Sequence, residues 1–205
     1  MMQQLTPVVK NLIIVNALVF VCATFLPMGQ MIPDLKLYFP LDTLDFRPYQ
    51  LVTHMFMHGD IGHLFFNMLS LFFLGAYVER FAGNKDFLIL YLLSGFGAML
   101  AHLAIQFMTY KSTGQTDFIP VVGASGAVYG ILIAFAVLFP NVKMMLLFIP
   151  FPIKARYLAL GLIAYDLISG VGGFQTGIAH FAHLGGALTG AALTFFWLIP
   201  KYRRP

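Results

Sequence analysis

Charge is the first thing this sequence has little of. Only 10% of its 205 residues are Asp, Glu, Lys or Arg, where ordinary soluble domains carry about 25%. Cysteine is almost absent. Cys22 stands alone, so a single chain can build neither a disulfide framework nor a cysteine-based metal site. The six histidines fall in no His-Glu-x-x-His run, which removes the commonest zinc-protease signature. Twelve basic and eight acidic side chains leave a net charge of +4, too small and too scattered for a nucleic-acid surface. No basic cluster precedes the first apolar run and no small-residue cleavage site follows it. That run is therefore expected to be a retained helix and not a leader or targeting peptide. There is no fixed-period repeat and no low-complexity tract.

What is present is apolar. Hydrophobic residues make up 60% of the chain, and the mean hydropathy is +0.84. That is the composition of a polytopic membrane protein. At about 20 residues per span, the length allows roughly six or seven helices. Uncharged stretches lie at 11–33, 61–78, 87–110 and 118–142. The stretch 157–200 is too long for one span, holds Asp166, and is interrupted by Ser169-Gly170-Val171-Gly172-Gly173. Splitting it there predicts an all-α bundle of six transmembrane helices, roughly 11–27, 61–80, 86–109, 124–140, 154–171 and 178–199, in one domain over 1–205. The apolar segment 144–153 is short and carries Pro150 and Pro152, so it reads as an interfacial connection. The long first loop, 28–60, mixes Pro33, Pro40 and Pro48 with Leu35, Leu37, Tyr38, Phe39 and Phe46. It is expected to lie in the outer membrane interface, with Tyr38 and Tyr49 near headgroup depth.

Basic residues orient the bundle. With the N-terminus inside, Lys10, Arg80, Lys85, Lys143, Lys154, Arg156, Lys201, Arg203 and Arg204 fall inside, and Lys36, Arg47 and Lys111 outside. Nine against three predicts both termini in the cytoplasm. Asp34, Asp42, Asp45, Asp60 and Asp117 then lie outside, but acids carry little weight in this rule.

This topology places the outer ends of the second, fourth and sixth helices together. Polar side chains at membrane depth are costly and ask for a reason. The second helix opens with His58, His63 and Asn67, the fourth with Gly123-Ala124-Ser125-Gly126, and the sixth with His180 and His183. Ser125, at a loop-to-helix junction, is the candidate nucleophile, and the amides of the helix start can bind an oxyanion. The plainer reading is an N-cap serine in a small-residue packing helix. His183 is the candidate general base. Gly186 and Gly190 share its face and can bring it against the Gly126–Gly130 stripe. His180 is the other candidate base, without that alignment. His63 and Asn67, four apart, share a face and can donate to an oxyanion. His58 reads as a tie between loop and helix, and His54 and His102 as structural or surface groups. No carboxylate is expected beside His183, because Asp166 falls nearer the middle of the fifth helix. That predicts a Ser-His dyad, with Tyr129 packing on the imidazole in place of an acid.

Taken in order, His58-Gly-Asp-Ile-Gly-His63-Leu-Phe-Phe-Asn67, Gly123-Ala-Ser125-Gly and Ala182-His183-Leu-Gly-Gly186-Ala-Leu-Thr-Gly190 resemble the rhomboid intramembrane serine proteases of six-helix type. The resemblance covers nearly the whole chain. It implies Ser125 as nucleophile, His183 as base, and His63, Asn67 and the Ser125 amide as the oxyanion hole. It also implies that Tyr129 stacks on His183, that Gly123 shapes the loop before the serine, and that His58 braces the loop below the cavity. Gly75-Ala-Tyr-Val-Glu79-Arg80 resembles the family's inner end of the second helix, where Glu79 would be structural. The Phe46-Arg47 pair departs from the family's Trp-Arg in the first loop.

The implied function is hydrolysis of peptide bonds in or near the transmembrane segments of other proteins, from a water-filled cavity open to the outer side. The implied partners are transmembrane protein substrates and the lipid bilayer, with no cofactor, no metal and no nucleic acid. Small or helix-breaking residues are expected near the cut, and the fifth helix is the expected lateral gate. The absence of a targeting peptide favours a prokaryotic plasma membrane. Three rival readings stand beside this one. They are a catalytically inactive relative that binds or escorts transmembrane helices, a metalloprotease, and a small transporter with Asp166 as its substrate site.

Overall fold

The computed structural model describes residues 5–26, 34–41, 45–116, 118–145, 151–173 and 179–202. Asp42, Asp117, Arg203 and Arg204 of the charge argument lie outside the described residues, as do Pro33, Pro150 and positions 27 and 178 at helix ends.

The first helix, α1 (Pro7–Phe25), starts with proline, whose missing N–H costs nothing at that position. Its first amides find a buried acceptor instead. The Glu79 carboxylate accepts from the Val8 and Val9 N–H groups, 2.9 Å each, and from the Thr6 hydroxyl. One stripe of α1 (Val9, Leu12, Asn16) is buried, while Ile14, Val15, Leu18 and Phe25 are bare. An aqueous protein would not leave such a face open. A short helix α2 (Gln50–Thr53) and a single 3₁₀ turn (His54–Phe56) then lead to α3 (Ile61–Ser70), capped by the Asp60 side chain on the His63 N–H at 2.8 Å.

A π turn (Leu71–Gly75) joins α3 to α4 (Ala76–Thr113), so that 61–113 runs almost without interruption. Gly83 breaks the run at φ +76°, ψ 164°. The sequence expectation of separate helices over 61–80 and 86–109 puts its break around this glycine, and the chain is helical on both sides of it. The chain ends this long element at Gly114, in the left-handed conformation that closes helices.

The remaining helices are α5 (Ser125–Leu138), α6 (Ala155–Val171), α7 (His180–Leu193) and, after a π turn (Thr194–Leu198), α8 (Ile199–Tyr202). Between α5 and α6 a small antiparallel ladder pairs β1 (Lys143–Met144) with β2 (Ile153–Lys154), in the register Lys143↔Lys154 and Met144↔Ile153. Residues 146–150 of the expected interfacial connection lie outside the described residues.

The registers of small residues give the directions. Gly126 and Gly130 of α5 meet Gly186 and Gly190 of α7, in that order, so these helices run parallel. Ala98 and Ser94 of α4 fill the space beside Gly126 and Gly130, so α4 runs the other way. Likewise Gly97 faces Thr189 and Ala101 faces Gly185. At the far end Asp86 accepts from Lys201 and from the Tyr202 hydroxyl (2.9 Å), which ties the start of this arm to α8. Helix α5 is buried on nearly all sides and forms the centre of the bundle. Pro7–Phe25, Ile61–Thr113 and His180–Tyr202 are each long and apolar enough to cross a membrane.

Candidate active site

Ser125 is the first residue of α5. The loop that delivers it is held from two sides. Leu37 and Val121 exchange both backbone hydrogen bonds at 2.9 Å, and the Gly123 N–H donates to the His54 carbonyl at 2.9 Å. Gly123 has φ +117°, where a side chain is strained. A Cβ there would also lie 2.7 Å from the ring of His63. The glycine thus lets the loop ride directly over that histidine. The first backbone bond of α5 runs from Val128 N–H to the Ala124 carbonyl, 2.9 Å, so the amides of Ser125, Gly126 and Ala127 precede the helical ladder.

The Ser125 hydroxyl lies 2.9 Å from Nε2 of His183. The Tyr129 ring, one turn below the serine, stacks on the imidazole with centroids 4.2 Å apart and planes 14° from parallel. The glycine seam makes this approach possible. A Cβ on Gly186 would sit 2.0 Å from the Gly126 carbonyl oxygen, and one on Gly190 would sit 2.4 Å from that of Gly130. Only helices without side chains at these points can come so close.

The expectation that no carboxylate reaches His183 is overturned. Asp166 of α6 is fully buried, and its two oxygens lie 3.2 and 3.3 Å from Nδ1 of His183. The same carboxylate lies 2.6 Å from Nδ1 of His180. By sequence, Asp166 falls in the fifth helix nearer the middle of the membrane. Counted from the helix ends, it sits five residues before Val171, and His183 three residues after His180. At 1.5 Å per residue those depths are about 7.5 and about 4.5 Å. In helices that meet at their outer ends, the two side chains are nearly level. His180, the other candidate base, spends its Nδ1 on Asp166 and sets its ring edge-on to Tyr165, centroids 5.6 Å apart.

His63 and Asn67 project from α3. Asn67 is buried, and its Nδ2 donates to the His63 carbonyl at 3.0 Å, which leaves the second amide hydrogen of that group for another acceptor. His58, in the loop before α3, packs its ring edge-on against His63 at 5.0 Å between centroids. Burial holds His58 down to about 4, so it is neutral at physiological pH. A cavity of about 20 Å³, room for one water, lies against Ser125 and is lined by His54, Met55, Gly123 and Ala182 among others. A larger open recess, about 380 Å³, is formed by Phe196, Trp197, Pro200 and Lys201 at the opposite end of the bundle and holds none of these groups. Among the described residues no group of three or more His, Cys, Asp or Glu side chains could hold a metal ion.

Comparison with known proteins shows the family to which the chain is similar. The profile of the Rhomboid domain matches residues 45–200. Rhomboid protease AarA of Providencia stuartii is 32% identical over 164 residues, which is 73% of this chain and 56% of that protein. RHOMBOID-like protein 12, mitochondrial, of Arabidopsis thaliana is 34% identical over 193 residues, 90% of this chain and 56% of that protein. Rhomboid protease GluP of Bacillus subtilis is 33% identical over 144 residues, 69% of this chain and 24% of that protein. The chain spans about half the length of the first two of these relatives.

Proposed function

The chain belongs to the rhomboid family of integral membrane proteins, and from that premise we propose that it is an intramembrane serine endopeptidase. It hydrolyses peptide bonds in or near the transmembrane segments of other membrane proteins. The observation that carries this reading is the 2.9 Å contact of the Ser125 hydroxyl with Nε2 of His183.

In the proposed reaction the Ser125 oxygen bonds to the scissile carbonyl carbon as its proton passes to Nε2 of His183. The carbonyl oxygen becomes an oxyanion, met by the Ser125 amide, the free hydrogen of the Asn67 amide and the His63 ring. The C–N bond then breaks, and His183 returns the proton to the leaving amine. Water, deprotonated by the same imidazole, releases the acyl group. Tyr129 holds the plane of the ring throughout. Gly123 keeps the loop close over His63, and His58, neutral and buried, braces the base of that loop. No cofactor or metal enters.

The membrane placement belongs to the same proposal. The six spans run with both termini in the cytoplasm and the site opening outward, as the nine-to-three distribution of basic residues favours. Helix α5 has 14 residues and a length of about 21 Å, against a hydrocarbon core of about 30 Å. Its first residue, Ser125, then lies below the outer surface, within reach of a substrate segment and of water from above. The first loop lies in the outer interface and braces the serine loop through Leu37. Relatives are named for mitochondria and chloroplasts, so the family fixes a membrane and not which one; we place this chain in a prokaryotic plasma membrane. Substrates are transmembrane proteins whose helix unwinds at small or helix-breaking residues. Helix α6, which leaves Leu160, Leu167, Ile168 and Val171 bare, is the side from which they enter. An inactive helix-binding relative would have no use for the Ser125–His183 contact.

The test uses purified protein in liposomes with a model transmembrane substrate and a fluorophosphonate probe. Wild type is expected to cut and to label. Ser125→Ala is expected to do neither, and His183→Ala to lose cleavage while remaining folded. A Ser125→Ala variant that cuts as well as wild type would refute the assignment.

A further inference from the structure

We propose that Asp166 is a positioning residue for the hydrolysis, making a relay of Ser125, His183 and Asp166 where the sequence pointed to a pair. The inference rests on the serine-protease reading above.

An ionised carboxylate can only accept hydrogen bonds. With both Asp166 oxygens 3.2–3.3 Å from Nδ1 of His183, the ring's proton belongs on Nδ1. Nε2 is then bare, and it is Nε2 that lies 2.9 Å from the Ser125 hydroxyl. The tautomer that Asp166 selects is therefore the one that can take the serine proton. When it does, the imidazolium keeps its Nδ1 hydrogen, its charge faces the carboxylate, and no proton moves to Asp166. The other neutral tautomer would present a hydrogen to the serine and could not act as base.

The surroundings explain how a carboxylate persists at membrane depth. A buried charge is tolerable when donors surround it. Two donors do so here, His180 and His183 from α7. Tyr165 of α6 borders His180, and His63 of α3 lies within electrostatic reach of His183. Tyr129 holds His183 from the other side by stacking on the ring. The bond at 2.6 Å to His180 anchors Asp166 whether or not the reaction is under way.

The experiment compares wild type, Asp166→Asn and Ser125→Ala for cleavage of the model substrate, and records ¹⁵N spectra of histidine-labelled protein, with His183→Ala to assign the ring. An asparagine can turn its amide N–H toward Nδ1 and so favour the Nε2–H tautomer. Asp166→Asn is expected to lower kcat about 100-fold with KM changed less than about 2-fold, and to move the His183 signal from the Nδ1–H to the Nε2–H pattern. A kcat within about 3-fold of wild type would overturn the proposal, as would a loss of rate with the His183 tautomer unchanged, which marks a role in folding alone. Should Asp166→Asn fail to fold, the wild-type spectrum decides. His183 protonated on Nδ1 supports the proposal, and His183 protonated on Nε2 overturns it. A folded wild type that neither cuts nor labels would sink the protease reading itself; an active wild type with an indifferent Asp166→Asn would sink this inference alone.

Discussion

Replacing Gly186 with alanine tests whether the glycine seam sets the distance between Ser125 and His183. The new methyl carbon would start 2.0 Å from the Gly126 carbonyl oxygen, with the Gly126 carbonyl carbon at 2.8 Å and its Cα at 3.2 Å. Ordinary contact lies near 3.5 Å, so α5 and α7 must part by about 1.5 Å at this level. The obstacle is backbone in a central, buried helix and cannot swing aside. Overpacking of this kind costs about 1–3 kcal/mol, and a rigid neighbour puts the expected loss near the top of that range. His183 lies one turn above Gly186, so its 2.9 Å bond to Ser125 would stretch past hydrogen-bonding distance. A displacement of about 1 Å at a reacting pair costs about 100-fold in rate. The assay pairs thermal unfolding in detergent with the rate of fluorophosphonate labelling at a temperature where the variant is folded. Gly161→Ala is the control, since a Cβ there meets nothing within 4 Å; it should unfold and label like wild type. A Gly186→Ala protein that unfolds at the wild-type temperature and labels at the wild-type rate would refute the reasoning.

Two further outcomes are expected. Glu79→Gln removes the charge that receives the Thr6 hydroxyl and the Val8 and Val9 amides; it should cost about 1–2 kcal/mol in unfolding while leaving labelling of the folded protein intact, and an unchanged unfolding temperature would contradict it. His58 is held at about 4 in the folded protein against 6.5 when unfolded, so between these values the unfolded chain binds the extra proton. Its contribution is complete above pH 6.5, declines as pH falls toward 4, and changes no further below that, on the order of 3 kcal/mol at most. Unfolding measured from pH 4 to 7 should therefore depend less steeply on pH in His58→Asn than in wild type, and equal slopes would tell against it.

The two halves of the site differed in legibility for a physical reason. Ser125 and His183 each announce themselves beside a helix start, with glycines in phase on the same face, so sequence spacing carries the contact between them. Asp166 carries no such mark. It is one acid in an apolar helix, and its neighbours come from α5 and α7 through a register that depends on where those helices begin. Glu79 was legible as structural, but its partner, the first turn of α1, was not, because nothing local links residues so far apart in the chain. The division at 80–86 was legible because polar residues gather there, and a single non-helical glycine at Gly83 redirects the chain between two helices. The bonds between the first loop and the serine loop, Leu37 to Val121 and His54 to Gly123, are backbone contacts, which side-chain patterns do not encode.

The small β1–β2 ladder marks a seam of another kind, between what is synthesised early and what is synthesised late. Ser125, His63, Asn67, Gly123 and Tyr129 precede it; Asp166, His180 and His183 follow it. On the proposed reading, a growing chain that has delivered Ser125 to the bilayer still lacks the imidazole and the carboxylate that would arm it. For the same reason, two separately expressed pieces divided at this ladder should each be silent, and any activity on mixing would report their reunion.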